Sequence, residues 1–72
     1  MYKAGTYVVT WETKNLQFHR SPIIESEQAA RDFGNKLWRN PEVYHIEISR
    51  SQFYHHRRRS VTIAKATKAE RQ

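Results

Sequence analysis

The sequence predicts an α+β fold, a small β-β-α-β domain with one helix packed on one face of a three- to four-stranded mixed sheet. Two segments, TYVVTWET at residues 6–13 and VYHIEIS at 43–49, alternate apolar and polar residues with the period of two that half-buried strands show. Between them, SEQAARDFGNKLWR at residues 26–39 places Ala30, Phe33 and Leu37 at the spacing of one helical stripe. A chain of 72 residues holds one domain at most, so these elements share one core.

In the first strand Tyr7, Val9 and Trp11 point one way and Val8, Thr10 and Glu12 the other. Lys14-Asn15 reads as a tight turn, because asparagine tolerates the left-handed region. Residues 16–20, LQFHR, alternate again, and a loop at Lys14-Asn15 sets Trp11 across from Phe18 on one face. Pro22 ends this second strand or marks it as an edge. Ser26 is a good N-cap and Glu27 suits the positive end of the helix dipole. Ala29 joins the apolar stripe, while Arg31, Asn35 and Lys36 face outward. Gly34 lowers helix propensity by up to about 1 kcal/mol relative to alanine and is read as allowing close approach of helix and sheet. Asn40-Pro41 stops the helix, since the residue before proline is pushed out of the α region.

Tyr44, Ile46 and Ile48 of the third strand alternate with His45, Glu47 and Ser49. After a turn at 49–51, a fourth extended segment runs from about Gln52 to Arg57. Val61 and Ile63 fit a short strand. Residues 64–71 are rich in Ala and Lys and read either as a helix or as a disordered tail that folds on binding. The expected organisation is a single domain over residues 1–58 and a basic C-terminal extension over 59–72. A right-handed crossover sets the third strand parallel to the first, giving a sheet order of 2-1-3. The core is then Tyr7, Val9, Trp11, Leu16, Phe18, Ala30, Phe33, Leu37, Ile46 and Ile48. The opposite face, with Val8, Thr10, Gln17, His19, His45 and Glu47, is mostly polar and open to water or a partner.

A hairpin, then Ser26, Ala30 and Phe33 at Ser-x-x-x-Ala-x-x-Phe spacing, then Val43, Ile46 and Ile48 at Val-x-x-Ile-x-Ile spacing, resembles small phage- or prophage-encoded proteins. The resemblance covers residues 6–48. It rests on packing pattern and carries no functional residue over.

A core this small supplies roughly 3–5 kcal/mol. The chain has no cysteine, so disulfides and thiolate zinc sites are excluded. Self-association is the remaining means of support, and nine aromatics (two Trp, four Tyr, three Phe) favour it. No apolar run approaches the roughly 20 residues of a membrane span. The N-terminus lacks the apolar core and cleavage site of a signal peptide. The expectation is a cytoplasmic protein, read as a complete small reading frame.

Charge is unevenly placed. Residues 1–49 hold six basic and six acidic residues; residues 50–72 hold seven basic residues against one acid, Glu70. The whole net charge of +6 sits in the last third, as in segments that meet an anionic partner or serve as solubilising tails. Within it QFYHHRRRS, residues 52–60, sets Phe53 and Tyr54 beside Arg57, Arg58 and Arg59. Arginines attract phosphate and aromatic rings stack on bases, at about 1–3 kcal/mol per base. Arg50, Lys65 and Lys68 extend the track. The bland readings are that Phe53 is core and that the triplet keeps a strand edge from pairing with other chains.

Other chemistry is poorly supported. His55 and His56 are adjacent, so on a strand they point to opposite faces and do not chelate one ion. His19 and His45 meet on the open face only as surface histidines. There is no helical His-x-x-x-His pair, no Gly-rich phosphate loop and no Gly-x-Ser-x-Gly elbow. Glu12 and Glu47 read as solvated strand residues. The tail has too few large apolar residues for an interfacial helix. The expected function is therefore non-catalytic binding of DNA or RNA, with no enzyme activity, metal or cofactor. The alternative is a small phage-type interaction module that docks on a host protein or on itself, with Trp38 as an anchor if exposed and the basic tail open to an acidic protein partner.

Overall fold

The structure of the chain, a computed structural model, describes residues 5–54 and 57–68, and for residues 52–54, 57 and 58 it describes the backbone alone. Alternating β-branched and aromatic residues build β1 (Thr6–Thr13). A hairpin leads to the short β2 (Phe18–Arg20), and α1 (Glu27–Trp38) follows. Two long strands, β3 (Val43–Tyr54) and β4 (Arg57–Thr67), complete a single four-stranded sheet in the order β2-β1-β3-β4. The element order is thus ββαββ. Residues 59–67, expected as an extension, belong to the sheet, and residues 69–72 lie outside the described residues.

The sheet is antiparallel throughout, which corrects the expected mixed sheet. The helix leaves from β2, so the crossover joins β2 to β3 and those two strands run the same way. With β1 lying between them, β3 must be antiparallel to β1.

The hairpin register also differs from expectation. Trp11 pairs with His19 and Glu12 with Phe18. Thr13 N–H donates to Gln17 O at 2.9 Å and Leu16 N–H to Thr13 O at 3.0 Å, closing a three-residue loop. Leu16 stands in the left-handed region at φ 67°, as the last residue of such a loop does. A slip of one residue moves side chains to the other face. His19 therefore stacks on Trp11 at 5.4 Å, while Leu16 and Phe18 are 63% and 76% exposed and leave the expected core.

Val9, Ala30, Ile46 and Ile48 form the buried core, with Tyr7, Trp11, Phe33, Leu37 and Trp38 packed against it. Trp11 meets the Phe33 ring at 5.8 Å, which fixes the helix side of the sheet. Val8 and Val43, not expected in the core, are also buried, whereas Ala29 is exposed. The helix begins as its sequence demands: Ser26 Oγ accepts from Ala29 N–H at 3.0 Å. It ends through Asn40, whose N–H donates to Leu37 O at 2.9 Å and whose Oδ1 accepts from Glu42 N–H at 2.9 Å.

β3 continues without a turn at 49–51. β1 stops pairing with it at Ser51, but β3 and β4 stay paired for Gln52↔Arg59, Phe53↔Arg58 and Tyr54↔Arg57. These three pairs carry a two-stranded ribbon about 10 Å beyond β1.

Candidate nucleic-acid interface

The arginine triplet sits on this ribbon. Arg57, Arg58 and Arg59 follow one another on β4, across from Tyr54, Phe53 and Gln52. Arg59 is exposed. The side chains of Phe53, Tyr54, Arg57 and Arg58, and the whole of His55 and His56, lie outside the described residues. Between Glu47 and Glu70 the sequence has no acid, so the ribbon and most of β4 carry one sign of charge.

The three supporting cations stand at separate places along β3 and β4 and just beyond it. Arg50 stands at the base of the ribbon, between Tyr7 and Val61 in register. It is half-buried, and its Nε is buried without a hydrogen-bond partner among the described residues. Lys65 is exposed and pairs in register with Glu47. Lys68 is engaged elsewhere. Its Nζ donates to Asn40 O at 3.0 Å and lies 5.1 Å from the centre of the Trp38 ring. It thus closes the C-terminal end of α1 by a charge-assisted hydrogen bond and a cation–π contact. It also lies nine residues from Arg59, about 30 Å along an extended chain.

The histidines weighed as a pair are separated by the sheet. His19 stacks on the helix side, whereas His45 lies opposite Glu12 on the open face. There His45 Nδ1 meets Thr67 Oγ1 at 2.5 Å and His45 Nε2 meets Glu47 Oε2 at 2.8 Å. Hydroxyl, imidazole and carboxylate stand in the order used by nucleophilic triads. Here the three are neighbours on adjacent strands, Thr67 opposite His45 and Glu47 two residues along β3, so they form a cross-strand ladder of polar contacts. The His45–Glu47 spacing is visible in the sequence; Thr67 joins only through the β4 register. Among the described residues no group of three or more His, Asp or Glu is placed to hold a metal ion.

Sequence reasoning missed a groove of about 300 Å³ between α1 and β4. Ile46, Ile48, Ala64 and Ala66 line it from the sheet, and Gly34 and Trp38 from the helix. The signal was Trp38, off the main stripe of α1. It is half-buried, packed against the core on one side and facing this groove on the other.

Among the described residues no helix is long and apolar enough to cross a membrane. No protein-family model, no curated protein and no solved structure matches the chain, so a functional reading must come from its own geometry and charge.

Proposed function

We propose that the protein is a non-catalytic nucleic-acid-binding accessory protein that engages its target through the β3–β4 ribbon. The observation that carries this reading is the ribbon itself, a projecting pair of strands with three consecutive arginines and no acid. A two-stranded ribbon fits the major groove of B-DNA, about 12 Å wide, whereas the deep and narrow major groove of A-form RNA excludes side chains. Duplex DNA is therefore the favoured target. Arg57, Arg58 and Arg59 contact phosphate, Arg50 adds charge at the base, and Phe53 and Tyr54 are the candidates for stacking on an exposed base. Binding of this kind is mainly electrostatic, driven by counterion release.

The test is fluorescence anisotropy with labelled duplex DNA, single-stranded DNA and RNA across a salt series. It compares the wild type with an Arg57→Gln, Arg58→Gln, Arg59→Gln triple variant whose fold is checked by circular dichroism. The wild type should bind duplex DNA with a steep salt slope, and the folded variant should lose up to about 2.7 of that slope, at about 0.9 per phosphate contact. Absence of binding by the wild type at low salt, or an unchanged slope in the variant, overturns the reading.

A further inference from the structure

A second surface lies on the helix side of β4, away from the ribbon tip. The backbone of α1 packs over β1 and β3 and stays clear of β4, which leaves the groove between them. Its lining is apolar apart from Asn35 and two cations, Arg31 and Lys65, and it holds no acid. Arg31 is bound at 2.9 Å by Glu27 on its own helix, and Lys65, between Ala64 and Ala66 on β4, turns its side chain to the open face, where it would flank an added strand. Its register partner there, Glu47, is also in contact with His45.

The groove runs beside an open edge. β4 is the last strand in the order, and an edge strand presents unpaired N–H and C=O groups. Lys68 N–H donates inward to Tyr44 O at 2.9 Å. Alternation along an antiparallel strand then turns the N–H groups of Lys65 and Thr67 outward, next to the groove. Gly34 adds a further indication. A Cβ there would lie 3.4 Å from Ile48 Cδ1 and 3.6 Å from Ile46 Cδ1, so the packing has room for a methyl group. The glycine keeps the groove wide at the expense of helix propensity.

Charge selects the occupant. Arg57, Arg58, Arg59, Lys65 and Lys68 lie on or next to β4, which has no acid. A second copy adding β4 to β4 would set like charges across from one another, which destabilises a strand pair. A strand bearing carboxylates is attracted instead. We propose that the outer edge of β4 from Ala64 to Thr67, with the adjoining α1–β4 groove, is a strand-addition site for a short acidic segment of a partner protein. Backbone hydrogen bonds to the edge supply affinity, and one apolar side chain of the segment enters the groove.

The test titrates the isotope-labelled full chain with a synthetic hexapeptide of alternating Glu and Leu, followed by amide and indole NMR shifts. Shifts should concentrate at residues 64–67 and at the Trp38 indole. A hexapeptide of alternating Gln and Leu, and an N-methylated Glu/Leu peptide, should each bind at least tenfold more weakly. Lys65→Pro, which removes an outward donor, and Gly34→Leu, which fills the groove, should each weaken binding at least tenfold with the circular dichroism spectrum unchanged. The N-methylated peptide tests the edge even if Lys65→Pro fails to fold. No shift at millimolar peptide, or equal binding of the Gln/Leu or N-methylated peptide, overturns the proposal. So do the same shifts produced by duplex DNA, or by concentrating the protein alone, which would make a nucleic acid or a second copy the occupant.

Discussion

Ser21 holds the sheet together where regular backbone pairing fails. β2 ends at Arg20; just beyond it Ser21 N–H donates to Val9 O at 2.8 Å, and the chain next meets β1 at the Tyr7↔Ile24 bridge. In between, the buried Val9 N–H donates to Ser21 Oγ at 2.9 Å, and the Ser21 hydroxyl donates to Pro22 O at 2.8 Å. Ser21→Ala strands a buried donor and should cost about 1–3 kcal/mol. The measurement is thermal unfolding together with amide exchange, in which Val9 loses protection before the rest of β1 does. Leu16 is the opposite case, a residue poorly suited to its place. Its left-handed backbone costs a non-glycine residue about 1–2 kcal/mol, and at 63% exposure its side chain returns little packing. Part of the gain from glycine is offset by the freedom it adds to the unfolded chain. Leu16→Gly should still stabilise the protein by about 0.5 kcal/mol, a rise of about 2–4 °C in Tm. Because neither Asn-Gly nor Gly marks that position, the hairpin register was not legible in the sequence. Asn15 looked like the left-handed residue, and the error of one place sent Phe18 to the wrong face.

At the scale of the element, α1 was legible because its signals are local: Ser26 caps it, Ala30, Phe33 and Leu37 pack it, and Asn40-Pro41 ends it. β4 was not. Its Ala- and Lys-rich half reads as helical by propensity, but ten register pairs with β3 hold it extended. That pairing is long-range and leaves no local trace, and the groove beside β4 was hidden for the same reason. Gly34 separates propensity from packing. The sequence suggested that the glycine permits close approach, yet the nearest atom to a Cβ would be Ile48 Cδ1 at 3.4 Å, the edge of ordinary contact. Gly34→Ala should therefore stabilise the protein by about 0.5–1 kcal/mol, as expected for a helix interior. Denaturant unfolding measures it, and a loss of stability would mean that the helix needs the bare backbone to approach the sheet.

The whole molecule is elongated, with extents of 45 × 19 × 19 Å and a radius of gyration of 13.3 Å. A compact chain of this length would have about 11 Å. The buried core lies under α1, across β1 and β3, whereas the ribbon extends past the end of β1. Core and ribbon should therefore be separable. Arg50 and Val61 are partners in register, and the inward Lys68 N–H to Tyr44 O bond makes theirs a hydrogen-bonded pair, so replacing residues 51–60 with Asn-Gly closes the hairpin through a two-residue type I′ turn. The shortened chain should keep its circular dichroism spectrum and unfold within about 5 °C of the wild type, since the surface it loses lies outside the core. Its radius of gyration in small-angle scattering should fall toward about 11 Å. It should also lose most of its affinity for duplex DNA and most of the salt dependence, because all three consecutive arginines are removed. A shortened chain that folds and binds DNA as before would move the interface off the ribbon, to the cations that remain. One that fails to fold would place stability in the projecting pairs, which the position of the core under α1 argues against.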